Sequence, residues 1–173
     1  MCIVSEDTYG YAFFNELLKG LKERYNINDL ALHNLGRSYN TYRGSHYDKL
    51  NKITKALCAS NDCDIIIVTK DADGSNINDV SGEIMHYIPN DFNKVKVLVF
   101  DYEIEDWIVY NILGRLSPKP SKYLMEHFQY DKSQLPKYAK DILNNIKSLC
   151  ELESFRTFLR YLCIENIVCR QVK

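Results

Sequence analysis

Glycine and proline are scarce in this chain, at 7 and 4 of its 173 residues, which excludes collagen-like, disordered and low-complexity architectures. Long apolar runs are missing too. No stretch approaches the roughly 20 residues that a membrane-spanning helix needs. The N-terminus, Met1-Cys2-Ile3-Val4, turns acidic at Glu6 and Asp7 before a secretory apolar segment can form. Charge of one sign is not in excess: 22 Lys and Arg stand against 23 Asp and Glu. That balance argues against a general electrostatic coat for nucleic acid, though not against a local basic loop or bridging metal ions. The six cysteines, at 2, 58, 63, 150, 163 and 169, form no C-x-x-C pair and have no histidine at zinc-finger spacing. Reduced core thiols and a cytoplasmic protein are the expectation.

Several catalytic signatures are absent as well. There is no G-x-x-x-x-G-K-[ST] or G-x-G-x-x-G phosphate cradle and no G-x-S-x-G elbow. The histidines at 33, 46, 86 and 127 have no partner at metal or triad spacing, and only His46, beside Arg43, invites attention.

The first hundred residues alternate strand-like and helix-like segments, the pattern of a parallel α/β sheet. Cys2–Ser5 is a short apolar run, and 30–35 is a candidate second strand. The unbroken β-branched run Asp64–Thr69 and the run Val95–Phe100 suit strands buried on both faces. Helical spacing recurs over Phe14–Tyr25, Tyr47–Cys58, Asn78–Ile88 and Glu103–Leu113, and Trp107 falls on an apolar face. Between them, 34–46 is polar and basic, with Arg37, Arg43 and His46. Beyond Pro118 the pattern is helical only. The expected fold is therefore α/β: a mainly parallel four-stranded sheet over residues 1–116, with a helical C-terminal appendage over 117–173 packed on it.

Ligand chemistry in such sheets gathers at the carboxyl ends of the strands. Here the first run ends at Glu6 and Asp7, the central one at Asp71 and Asp73, and the next at Asp101, followed by Glu103, Glu105 and Asp106. Carboxylates delivered to one edge suit Mg²⁺ or Mn²⁺. In extended backbone, residues i and i+2 share a side, so Asp71 and Asp73 could face one ion. Each acid also has a plainer explanation, as a helix cap or a turn residue.

A Glu just past the first strand and an Asp-x-Asp past a hydrophobic strand some sixty residues on resemble a Toprim domain. The segments that carry the resemblance are Cys2-Ile3-Val4-Ser5-Glu6-Asp7-Thr8 and Ile66-Ile67-Val68-Thr69-Lys70-Asp71-Ala72-Asp73-Gly74, within roughly residues 1–115. Topoisomerases, bacterial primases and OLD-type nucleases share that Rossmann-like catalytic fold. The resemblance implies that Glu6 acts in acid–base chemistry or shares in metal binding, while Asp71 and Asp73 hold the ion. A narrower likeness is to small prokaryotic Toprim-like proteins, some linked to phage defence. They carry an E-x-W motif, matched here by Glu105-Asp106-Trp107, and a Ser-Phe segment near the end, matched by Ser154-Phe155. One position departs: Toprim domains usually have Gly after the Glu, and this chain has Asp7. That residue either adds a ligand or marks a site whose chemistry has been lost.

Two functions follow as expectations. One is a metal-dependent nuclease in which Glu6 and Glu105 complete a second ion site and Arg37, Arg43 and Lys70 meet the flanking phosphates. The other is a non-catalytic Toprim-like module that binds nucleic acid or a protein partner, or pairs with itself, in a defence or repair complex. A receiver-like fold ranks lower, because the chain becomes all-helical before the fifth strand and its lysine could appear.

Overall fold

The computed structural model describes residues 1–34, 36, 40–43, 46–60, 62–88 and 93–170. Three strands form one sheet: β1 (Cys2–Ser5), β2 (Ile66–Asp71) and β3 (Val95–Phe100), in the order β1-β2-β3 and parallel throughout. The register places Cys2 beside Ile66 and Ser5 beside Thr69, then Ile66 beside Val95 and Asp71 beside Phe100. All three carboxyl ends therefore meet on one edge.

The β-branched runs behave as strands buried on both faces. Cys2, Val4, Ile66, Val68, Val97 and Val99 belong to one apolar core with Leu50, Ile53 and Leu57 of α2 (Tyr47–Ser60) and Ile84 of α3 (Ile77–Tyr87). Their alternates Ile3, Ile67, Leu98 and Phe100 belong to the other core. That second core holds α1 (Gly10–Tyr25), α4 (Asp106–Leu113) and the helical C-terminal segment. The segment comprises α5 (Pro120–Phe128), a 3₁₀ turn (Lys132–Gln134), α6 (Leu135–Asn144), α7 (Ile146–Leu149), α8 (Glu153–Tyr161) and α9 (Glu165–Arg170). Trp107 ties the two halves together: it is fully buried against Phe100, Phe14, Phe155 and Phe158, and its indole N–H donates to Ser154 Oγ at 3.0 Å. A buried indole needs such a partner, and the Ser-Phe segment supplies both the acceptor and a packing ring.

Two expectations change. Among the described residues the sheet has three strands, not four. Residues 30–34 adopt no strand, and residue 35 lies outside the described set. Among the described residues, a further strand leaves two traces: a parallel bridge between Ser5 and Thr41, and backbone hydrogen bonds that lay residues 31–33 along Met1, from Met1 N to Ala31 O at 3.0 Å and from His33 N to Met1 O at 2.9 Å. Four of the six cysteines are also paired: Cys2 with Cys63 and Cys150 with Cys169, with Cα atoms 5.7 Å apart in each pair. Parallel pairing of β1 with β2 lays the residues before β2 alongside Cys2, a contact that sequence spacing does not reveal. Cys58 and Cys163 are free. No helix among the described residues is long and apolar enough to cross a membrane.

Candidate functional site at the carboxyl edge of the sheet

The first turn after β1 carries two acids with different partners. Glu6 reaches across to β2, where its Oε2 accepts from the Asp71 backbone N–H at 3.1 Å and its Oε1 pairs with Lys70. Asp7 is nearly buried. Its Oδ1 accepts from the Tyr9 N–H at 2.7 Å, so it does shape the entry to α1, as a turn residue would. Its Oδ2, however, faces Lys132 Nζ at 2.8 Å. Beneath it, Ser5 Oγ accepts from the Asp7 N–H at 3.1 Å and lies 3.1 Å from Thr69 Oγ1, which fixes this turn to the adjoining strand.

Glu105 sits at the start of α4 and is fully buried. Its Oε1 accepts from the Tyr130 hydroxyl at 2.8 Å and lies 3.8 Å from Lys132 Nζ, while its Oε2 has no hydrogen-bond partner. Burial pushes the carboxyl above the ordinary range, with Lys132 and Tyr130 opposing. Asp71, at the end of the central strand, is raised well above its usual value by desolvation first and then by the charges of Glu6 and Glu105. Lys132 is the cation that answers these acids. Burial alone would lower its affinity for a proton, but Glu105 and Asp7 hold it firmly charged.

Lys132 was not visible as a site residue in the sequence. It lies in the helical C-terminal segment, far along the chain from the strand ends. Its position follows from local structure: Asp131 forms a capping box with Gln134 that sets the 3₁₀ turn, and buried Tyr130 anchors that turn on Glu105. The only sequence cue was the capping pattern itself.

The other candidates fall unevenly. Glu6, Asp71 and Glu105 come together electrostatically, with Asp7 joining them. Asp73 does not. The strand ends at Asp71, and Asp73 is an exposed turn residue with φ of 50°, so the shared-side argument lapses where the backbone stops being extended. Lys70 is committed to Glu6. Arg43 is exposed and lines a cleft of about 300 Å³ with Glu6, Asp7, Thr8, Tyr9 and Lys132. Arg37 lies outside the described residues. His46 lines a neighbouring groove.

Whether the site suits a divalent ion is a question of donors. Glu6, Asp7, Asp71 and Glu105 offer only carboxylate oxygens, the hard donors that Mg²⁺ and Mn²⁺ take, and one buried oxygen of Glu105 is orphaned. Four carboxyl groups stand beside two ammonium groups, Lys70 and Lys132, and desolvation together with the neighbouring acids raises Asp71. Among the described residues, no three His, Cys, Asp or Glu side chains stand as a preformed metal cage. The chemistry fits a divalent ion, and the present geometry is that of a cluster held by lysines. Neither a protein-family model, a curated protein nor a solved structure matches the chain.

Proposed function

We propose that the protein is a divalent-metal-dependent phosphodiesterase of Toprim type that cleaves nucleic acid at the carboxyl edge of its sheet. The observation that carries this reading is the excess of acid there: carboxylates from the β1 and β2 ends and from the start of α4 converge, and Asp71 is pushed well above its ordinary pKa. A cluster serving only to hold the fold would balance its charges, because uncompensated buried acids cost stability.

Asp71, Glu105 and Glu6 would hold Mg²⁺ or Mn²⁺. Bound there, the ion would polarise a phosphoryl group and lower the pKa of an attacking water. Glu6 has a side chain only part-buried, so it can take a proton from water and return one. Arg43, exposed in the cleft beside Glu6, would receive a flanking phosphate. Lys132 orients Asp7 and Glu105 and opposes the upward push of burial on the Glu105 carboxyl.

The test is cleavage of end-labelled single- and double-stranded DNA and RNA with Mg²⁺ or Mn²⁺. Wild type should cut, Asp71→Asn should abolish cutting, and Glu6→Gln should slow it by about 10²–10⁴-fold. Undiminished cleavage by Asp71→Asn would remove this site from the chemistry.

A second reading has one observation in its favour. Lys70 on Glu6 and Lys132 on Asp7 and Glu105 already engage the acids as ion pairs. On that reading the protein is a non-catalytic Toprim-like module that binds nucleic acid or a protein partner, and wild type would cut nothing.

A further inference from the structure

A groove of about 940 Å³ adjoins the acid cleft and shares Thr8, Tyr9 and Arg43 with it. One wall is the start of α1, with Tyr9 and Tyr11. The other is the start of α2, with His46, Lys49 and Lys52. Asn40, Thr41 and Arg43 also line it, and Tyr42 between them holds this segment to the sheet: its backbone N–H donates to Ser5 O at 3.1 Å and its hydroxyl donates to Thr69 O at 2.8 Å.

Three features point to a ligand. Arg43, Lys49 and Lys52 are exposed, against one acid, Asp48, and no ion pair among the described residues engages them. In a chain of net charge −1, unpaired cations gathered in one groove mark an anion site. Tyr9 is 39% exposed and Tyr11 half-buried, so two rings line the same wall. Asn40 is 5% exposed, and its Oδ1 is buried with no partner. A buried acceptor in the lining of a concavity calls for a donor, from water or from a ligand that enters.

We infer that this groove binds a single-stranded polynucleotide and leads it to the acid cleft. This rests on the phosphodiesterase reading and names the form of its substrate. The lysines and Arg43 meet the phosphates, the tyrosine faces accept unstacked bases, and Asn40 Oδ1 accepts from a base N–H or a ribose hydroxyl. A duplex offers the cations its backbone, but its stacked bases present no free face to Tyr9 and cannot reach Asn40.

The experiment is fluorescence anisotropy with a labelled mixed-sequence 12-mer as single-stranded DNA, single-stranded RNA and blunt duplex, titrated with full-length protein in EDTA so that no cleavage intrudes. Single strands should bind at least tenfold more tightly than duplex, and an advantage of RNA over DNA would assign the Asn40 contact to the ribose. Tyr9→Ala should weaken single-strand binding about tenfold, since stacking contributes about 1–3 kcal/mol per base. Lys49→Gln/Lys52→Gln should flatten the slope of log affinity against log salt by about 1.4, because each phosphate contact on a single strand contributes about 0.7. Asp71→Asn should bind as wild type does, so the groove is read apart from the chemistry: loss of cleavage with retained binding leaves this inference standing. Equal or tighter duplex binding, an unchanged salt slope in the double variant, or no single-strand binding at low salt would overturn it.

Discussion

Lys132 Nζ lies 2.8 Å from Asp7 Oδ2, joining the 3₁₀ turn of the C-terminal segment to the first turn after β1. The same ammonium is 3.8 Å from Glu105 Oε1. One side chain from the helical half therefore steadies two acids of the α/β half.

Lys132→Met would leave Asp7 and Glu105 without their cation. Removing one partner of a buried pair costs about 3–5 kcal/mol, but Lys132 is partly exposed and solvent screening reduces the figure to about 1–2 kcal/mol. Glu105 and Asp71, both raised above the ordinary range, take up protons as pH falls and relieve the repulsion. Urea denaturation should thus show a larger loss at pH 7 than at pH 5. Equal losses would mean that Lys132 acts through packing alone.

Gly10 has a steric task at the same turn. A Cβ there would fall 2.0 Å from Ser5 Oγ and 2.8 Å from Ser5 Cβ, and Ser5 is the residue that holds the Asp7 backbone. Gly10→Ala should destabilise by about 1–3 kcal/mol, as overpacked sites do. Gly82→Ala, which meets nothing within 4 Å, is the matched control on α3 and should be neutral or stabilising.

Asp106 is fully buried and its Oδ1 lacks a partner, while Oδ2 accepts from the Tyr102 N–H at 2.8 Å. Desolvation, aided by Asp101 and Glu103, lifts its pKa to about 7. Between the unfolded carboxylate value of about 4 and 7, the folded chain holds a proton that the unfolded chain has released, so this group's contribution to stability falls as pH rises. In EDTA, the thermal midpoint should decline from pH 5 to pH 8. Asp106→Asn, which keeps an acceptor for Tyr102 and cannot ionise, should remove at least half of that decline. An identical pH profile would show that Asp106 is not the titrating group.

Much of the fold was legible because its signals are local. The apolar runs at 66–68 and 95–99 read as strands covered on both sides, which holds except at exposed Lys96, and parallel pairing then brings Glu6, Asp71 and Glu105 to one edge. What escaped depends on contacts distant in sequence or on where extended backbone stops. The apolar residues Leu30 and Leu32 look like strand and pack against the α1 core, but their segment meets the sheet edge only at Met1, through Ala31 O and the His33 N–H, and forms no strand. Asp73 leaves the cluster because the chain turns left-handed one residue past Ala72. Lys132 and the partner of each paired cysteine are supplied by tertiary packing, which no spacing rule encodes.

The central claim is that the acids at the sheet edge take a divalent cation. Mn²⁺ titration followed by electron paramagnetic resonance of the free ion reads this directly, with no need for a substrate. Wild type should bind at least one Mn²⁺ per chain in competition with Mg²⁺, and Asp71→Asn and Glu105→Gln should each lose most of that binding while keeping the wild-type circular dichroism. Mn²⁺ binding that is absent in wild type, or undiminished in both variants, would contradict the account.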